Sequence, residues 1–143
     1  AIFHICKKVG DLMISSKIKG SIINYTSIGA EQGFPNNPAY AASKGALTAL
    51  TRAIAMEYAP DGIRCNAVLP GAINTSMLQS GLSRLGDENL PQENFEALKS
   101  AIPLNFIANP DQIAPTIVHL ADNETSSYIT GQTISVNGGM YMG

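Results

Sequence analysis

Apolar residues recur at two different spacings along the chain, and each spacing predicts one kind of element. Over residues 1–16 they lie mostly three or four positions apart, as Ile5, Val9 and Leu12 do, which predicts an amphipathic helix. Short apolar runs at residues 21–27 and 63–69 predict strands that are buried on both faces. A similar run at residues 133–136 predicts a third strand.

Helices are predicted between these strands. Asn37 precedes Pro38, which is the arrangement of a helix cap followed by proline at the first helical position, and this helix is predicted to extend to Tyr58. Another helix is predicted over residues 111–121. The alternation of strands and helices predicts an α/β fold in which helices cover both faces of a parallel sheet.

Residues 75–109 form a connection that is longer than most links between neighbouring elements, and we expect it to be a lid over a substrate. Basic residues are few in it, so a neutral polar or moderately apolar substrate is expected in preference to a phosphorylated one. Its large apolar side chains are Leu78, Leu82, Leu85, Leu90 and Phe95.

Composition narrows the classes of function. The chain has 143 residues, of which 45% are apolar and 14% are charged, and this predicts one globular domain. The charged fraction lies below the roughly 25% of an average domain, which indicates that other subunits or further protein cover part of the surface. A net charge of -2 without basic runs argues against nucleic acid and anionic membranes as partners. We expect a cytoplasmic protein with a small-molecule partner, because the sequence contains neither a bilayer span nor a secretory signal.

The cysteines and histidines do not form a metal site by their spacing. Cys6 and Cys65 lie far apart in the sequence, and we expect them to be reduced and buried, although their spacing also permits a disulfide. His4 and His119 have no acidic or cysteine partner at the spacing of metal ligands. The sequence therefore predicts no bound metal.

Candidate chemistry appears where the first two predicted strands end. Ligands of open parallel sheets bind beyond the carboxyl ends of the strands, and Ser27 occupies one of these ends. Tyr40 and Lys44 lie one helical turn apart near the start of the following helix, and an ammonium group close to a phenol favours the phenolate. The tyrosine is then able to exchange a proton with an alcohol or carbonyl oxygen that the serine holds, which suits hydride transfer at the adjacent carbon.

Four segments, in their order along the chain, resemble the short-chain dehydrogenase/reductase family. They are the strand end at residues 24–27, the Tyr-x-x-x-Lys signature at residues 40–44, the strand and turn at residues 66–71 and the closing strand at residues 131–139. The resemblance implies a Rossmann-like fold, NAD or NADP as cofactor, and homodimers or homotetramers. It also implies that Ser27 positions the substrate oxygen, that Tyr40 is the acid/base, and that Lys44 favours the phenolate and binds the nicotinamide ribose. The cofactor contacts that it implies are Tyr40, Lys44, Pro70, Gly71, the backbone of Ile73 and the hydroxyl of Thr75.

Some of this family's motifs are absent from the chain. The glycine-rich phosphate loop, the Asn-Asn-Ala-Gly strand and the helix asparagine of the catalytic tetrad do not occur. The first predicted helix starts at Ala1 without a capping residue. We therefore expect residues 1–143 to be the C-terminal catalytic half of one Rossmann-like domain, with the dinucleotide-binding half upstream and the choice between NAD and NADP open.

Three functions are compatible with the sequence. The favoured one is an oxidoreductase that transfers a hydride between a nicotinamide cofactor and a secondary alcohol or ketone, and acyl-carrier ketoacyl reduction, sugar or polyol oxidation and small-alcohol oxidation all fit it. The second is a binding or structural protein that has the same fold without the reaction. The third is a catalytically inert fragment whose exposed sheet edge promotes self-association.

Overall fold

A three-stranded parallel sheet forms the centre of the protein. The computed structural model describes residues 1–85 and 91–143, apart from the side chains of residues 82–85 and 91–92. The helices are α1 (Ile2–Ser15), α2 (Pro38–Tyr58), α3 (Ser76–Leu85), α4 (Pro91–Ser100) and α5 (Pro110–Ala121), the strands are β1 (Ser21–Tyr25), β2 (Arg64–Pro70) and β3 (Thr133–Val136), and short 3₁₀ turns span Ile28–Ala30 and Ala59–Asp61.

The strands lie in the order β1-β2-β3, and both pairs are parallel. Ser21 pairs with Arg64 and Ala67 pairs with Thr133, so β2 is the central strand. Every residue of β2 is buried. Within residues 1–85 and 91–143, β1 has a strand partner on one side only.

Helices pack on both faces of this sheet, as predicted. Neighbouring residues of a strand point to opposite faces. Ile22 accordingly packs with Cys65 and Ile54 in the core beneath α1 and α2, while Ile23 packs against the core that Val68 forms with α5. Both cysteines are free and buried, which confirms the expectation from the sequence.

The strand ends differ from the prediction for local reasons. The Ser27 side chain accepts a hydrogen bond from the Gly29 amide, which starts a 3₁₀ turn and ends β1 earlier than predicted. The Ile63 amide bonds the Tyr58 carbonyl at the end of α2, so β2 starts at Arg64. The helix α2 begins at Pro38 as predicted, but the Asn37 side chain makes no capping hydrogen bond.

The connection predicted as a lid contains two helices, α3 and α4, which contact each other. Leu78 and Phe95 are half-buried there. Three further lid side chains, those of Leu82, Leu85 and Leu90, lie outside the described residues. None of the helices described combines the length and the apolar character that a bilayer crossing requires.

Candidate active site

Ser27 lies just beyond the carboxyl end of β1. Its backbone is extended, its side chain is 8% exposed, and its Oγ accepts a hydrogen bond from the Gly29 amide at 3.1 Å. This bond uses a lone pair of the hydroxyl and leaves its hydrogen available for another acceptor. The Ser27 hydroxyl is therefore oriented by this bond and is able to donate a hydrogen bond to an oxygen atom beyond the carboxyl end of β1.

Tyr40 lies in the first turn of α2 and is 37% exposed. Its ring lies against the turn that Ser27 starts, since a Cβ atom added to Gly29 would be 3.2 Å from the ring carbon Cε1. A side chain at position 29 would crowd this ring, so the glycine permits the close approach. One residue, Gly29, thus contacts both the candidate serine and the candidate tyrosine.

Lys44 lies one helical turn after Tyr40, and its side chain returns to the end of β1. Its Nζ donates a hydrogen bond to the Tyr25 carbonyl at 3.0 Å and lies 5.7 Å from the centroid of the Tyr40 ring. An ammonium group has three hydrogens, so the bond to Tyr25 leaves two further donors. The structure therefore brings Ser27, Tyr40 and Lys44 together at the carboxyl end of β1.

A second phenol lies beside this cluster. Burial raises the pKa of the Tyr25 side chain, and the neighbouring Tyr40 adds to the rise. Tyr25 is consequently held in its neutral form at physiological pH.

The other residues predicted to contact a cofactor lie at the last residue of β2, Pro70, and in the segment that follows it. The Gly71 amide donates to the Val136 carbonyl at 3.3 Å, and Ile73 forms an isolated parallel bridge with Ala108. The Thr75 hydroxyl donates to the Ile73 carbonyl at 3.3 Å and accepts from the Leu78 amide at 3.4 Å, at the start of α3. This segment is thus held by β3, by the connection before α5 and by the first turn of α3.

A cavity of about 230 Å³ adjoins this segment, and the sequence analysis did not predict it. Its walls are mainly apolar, with two amide side chains among them. Its lining residues are drawn from four separate stretches of the chain, and no sequence pattern marks such a set. They are Ala72, Ile73, Ile102, Leu104, Phe106, Ala108, Gln112, Ile113, Val136, Asn137 and Gly138.

The parallel sheet covered by helices, with polar side chains gathered at the carboxyl ends of its strands, defines a Rossmann-like α/β protein. The chain belongs to the short-chain dehydrogenase/reductase family, and residues 1–141 match the family model described as enoyl-(acyl carrier protein) reductase. Its relatives include oxidoreductases of several kinds.

Three comparisons illustrate the similarity. The (3R)-3-hydroxyacyl-CoA dehydrogenase of Canis lupus familiaris is 38% identical over 141 residues, which are 99% of this chain and 51% of that protein. The 3-oxoacyl-(acyl-carrier-protein) reductase of Synechocystis sp. is 39% identical, over 99% of this chain and 52% of that protein. The crystal structure of levodione reductase superposes with a TM-score of 0.87 at 32% identity, over 93% of this chain and 50% of that one. The chain spans about half the length of the curated relatives it matches.

Proposed function

We propose that the protein containing this chain transfers a hydride between NAD or NADP and a secondary alcohol or ketone. The observation that carries the proposal is the convergence of Ser27, Tyr40 and Lys44 at the carboxyl end of β1. A positioned hydroxyl, a phenol and an ammonium group are the parts that proton transfer at a carbonyl oxygen needs. Membership of a family of oxidoreductases supports the same reaction class.

The residues present fit the nicotinamide end of a dinucleotide. Lys44 has two donors left for ribose hydroxyls, and the segment from Pro70 to Thr75 follows the central strand, where open sheets bind ligands. Pro70, Gly71 and the backbone of Ile73 lie in this segment, as does the Thr75 hydroxyl, which is able to bond an amide. When bound, the nicotinamide supplies or accepts the hydride.

The proton follows a path through this chain's own residues. In alcohol oxidation, the Tyr40 phenolate accepts the proton of the substrate hydroxyl while the carbon–hydrogen bond gives up its hydride. Ser27 donates a hydrogen bond to the same oxygen and holds it in place, and the Lys44 ammonium stabilises the phenolate. In ketone reduction, Tyr40 returns the proton to the oxygen that becomes the alcohol.

The substrate is proposed to be neutral and moderately apolar. The half-buried lid residues Leu78 and Phe95 support this class, as does the mainly apolar cavity beside Ile73. Three relatives are named after hydroxyacyl-CoA, oxoacyl-carrier and 7α-hydroxysteroid substrates, in which the part that would enter the site is an apolar acyl chain or ring system. Acyl thioesters and sterols are therefore the first substrates to test, with polyols as the contrasting class.

We also propose that residues 1–143 form the C-terminal catalytic half of one Rossmann-like domain. Its relatives are about twice as long, which supports an upstream dinucleotide-binding half in the intact protein. A cytoplasmic homodimer or homotetramer is part of the same proposal. The intact mass of the purified protein and its mass in solution test these two points.

The reaction is tested on the intact protein that contains this chain. We expect turnover with NAD(H) or NADP(H), and we expect Tyr40→Phe to lower kcat by about 10² to 10⁴-fold, the usual contribution of a general acid/base. Tyr128→Phe is the matched control, because Tyr128 is fully exposed. Retention of activity by Tyr40→Phe would refute the mechanism, and dinucleotide binding without turnover of any of the three substrate classes would favour a binding protein of the same fold.

A further inference from the structure

One face of α2 carries polar side chains that contact β1. Lys44, Thr48 and Thr51 lie four and three residues apart, which places them on the same side of a helix. Thr48 and Thr51 are 2% and 0% exposed. A buried hydroxyl is costly unless it is hydrogen-bonded, so the partners of these two groups indicate what they do.

A continuous chain of hydrogen bonds connects Ser27 with Lys44. The Ser27 amide donates to Thr26 Oγ1 at 2.6 Å, Thr26 Oγ1 lies 3.4 Å from Thr48 Oγ1, and Thr48 Oγ1 donates to the Lys44 carbonyl at 3.2 Å. Either hydroxyl is able to donate in the long contact between the two threonines, and this contact joins the residue that follows β1 to α2.

Two further bonds connect the same strand and helix. Asn24 Nδ2 donates to Thr51 Oγ1 at 2.9 Å, and Thr51 Oγ1 in turn donates to the Leu47 carbonyl at 2.9 Å. The Tyr25 carbonyl accepts from Lys44 Nζ. Three successive residues, Asn24 and Tyr25 at the end of β1 and Thr26 just after it, thus each bond to α2.

These bonds do what apolar packing alone cannot. Apolar contacts are non-directional. They favour burial of this face of the helix, but they only weakly specify the position of the helix along the strand. Hydrogen bonds weaken steeply when their distance or angle changes. The bonds that Asn24, Tyr25 and Thr26 make to α2 therefore together define where Lys44 and the first turn of α2 lie relative to Ser27.

We propose that Thr26 and Thr48 are positioning residues, which hold Tyr40 and Lys44 in a fixed position relative to Ser27. The proposal rests on the function proposed above. It predicts a defect in the proton-transfer step, because small displacements of a catalytic group are expensive in rate. It predicts little effect on substrate KM, because neither threonine is among the residues expected to contact substrate, and it predicts weaker dinucleotide binding, because Lys44 is also expected to bind the nicotinamide ribose.

The test uses isosteric variants of the intact protein. Thr48→Val removes the hydroxyl and retains the shape, and we expect kcat for alcohol oxidation to fall about tenfold. The substrate KM should stay within about twofold, the pattern of an interaction that matters only in the transition state. The dinucleotide Kd should rise as kcat falls, because Lys44 is also expected to bind the nicotinamide ribose. Thr48→Ser, which retains the hydroxyl, should restore both kcat and the dinucleotide Kd.

A double-mutant cycle tests the contact itself. If the two hydroxyls act as a pair, Thr26→Val and Thr48→Val combined should be no slower than the worse single variant. Multiplicative effects of the two substitutions would overturn the pairing. Ser126→Ala is the matched control. The Ser126 hydroxyl is buried, lies away from the candidate site and donates a hydrogen bond of 2.6 Å to the Asp122 carbonyl. This substitution should lower thermal stability and leave kcat unchanged.

The possible outcomes separate this proposal from the proposed function. If Thr48→Val only lowers the thermal stability, as Ser126→Ala does, the positioning role is refuted while an inactive Tyr40→Phe still supports the reaction. If Tyr40→Phe is active, the proposed function fails whatever the threonine variants do. Should Thr48→Val not fold, Thr48→Ala removes the same hydroxyl without placing a new methyl group beside Thr26, and it is judged by the same changes in kcat and substrate KM.

Discussion

Arg64 provides the sharpest test of the packing described above. It begins the central strand, is 6% exposed, and donates four hydrogen bonds of 3.2 Å or shorter. Two of them go to Asn123 Oδ1, at 3.1 and 2.7 Å, one to the Leu120 carbonyl at 2.8 Å and one to the Ile129 carbonyl at 3.2 Å. The guanidinium therefore connects β2 with the end of α5 and with the connection that leads to β3.

The free energy of unfolding that Arg64→Met loses depends on which hydrogen bonds each acceptor of Arg64 retains. Hydrogen bonds from a charged group are worth about 1.5–3 kcal/mol each, so simple addition gives about 6–12 kcal/mol. However, the Leu120 carbonyl also accepts from Ser21 Oγ at 2.8 Å, and the Ile129 carbonyl also accepts from Asn66 Nδ2 at 2.8 Å. The remaining acceptor, Asn123 Oδ1, belongs to an exposed residue that water can reach. Removal of the guanidinium also removes its own desolvation cost, so we expect a loss of about 3 kcal/mol.

Urea unfolding of the intact protein and of Arg64→Met measures this difference. Arg52→Met is the matched control, because Arg52 is exposed on α2, and its effect should stay within about 0.5 kcal/mol. A loss above about 6 kcal/mol for Arg64→Met would mean that the shared acceptors provide no compensation. A loss below about 1 kcal/mol would mean that the buried cluster does not contribute to stability.

Two further predictions concern the sheet and its core. Gly71→Ala places a Cβ atom 2.9 Å from both the Cα and the carbonyl oxygen of Asn137, so we expect a loss of about 1–3 kcal/mol in urea unfolding, whereas Gly33→Ala, which has open space, should change little. A loss in Gly71→Ala no larger than in the control would contradict the close contact. Burial raises the pKa of the Cys65 thiol to about 12, so this group stays neutral in the folded protein while it ionises in the unfolded chain. Its contribution to stability is complete below about pH 8.5 and should decline by up to about 1.4 kcal/mol per pH unit between there and pH 12. Unfolding measured from pH 8 to 11 should therefore show a shallower decline in Cys65→Ala, and parallel profiles would refute the assignment.

The elements with a strong local pattern were predictable. Helix α2 begins at Pro38 and ends at Tyr58 as predicted, and β3 has its predicted bounds, because the signals for these ends lie within a few residues. Helices α3 and α4 were missed, since Gly81 in the middle of α3 and Pro91 at the start of α4 are residues that also mark irregular connections. The early end of β1 was missed because it depends on one bond between the Ser27 side chain and the Gly29 amide.

The candidate site was only partly predictable. Tyr40 and Lys44 share a helix face by periodicity alone, and Ser27 was predicted from its place at the carboxyl end of a strand. The bond from Lys44 to the Tyr25 carbonyl and the contact between Thr26 and Thr48 join residues that are 19 and 22 positions apart. Nothing in the local pattern of either partner indicates such a bond, because the distance depends on how α2 packs on β1.

The sequence by itself determined the class of fold and the chemistry that this chain has available. The fully buried β2 requires cover on both of its faces, and the helices between the strands supply it. Tertiary structure alone decided which groups meet. The pairing of Arg64 with Asn123 and the cavity beside Ile73 both arise from segments that are distant in sequence. Periodicity acts over one or two turns of helix, whereas these contacts depend on the register and packing of whole elements.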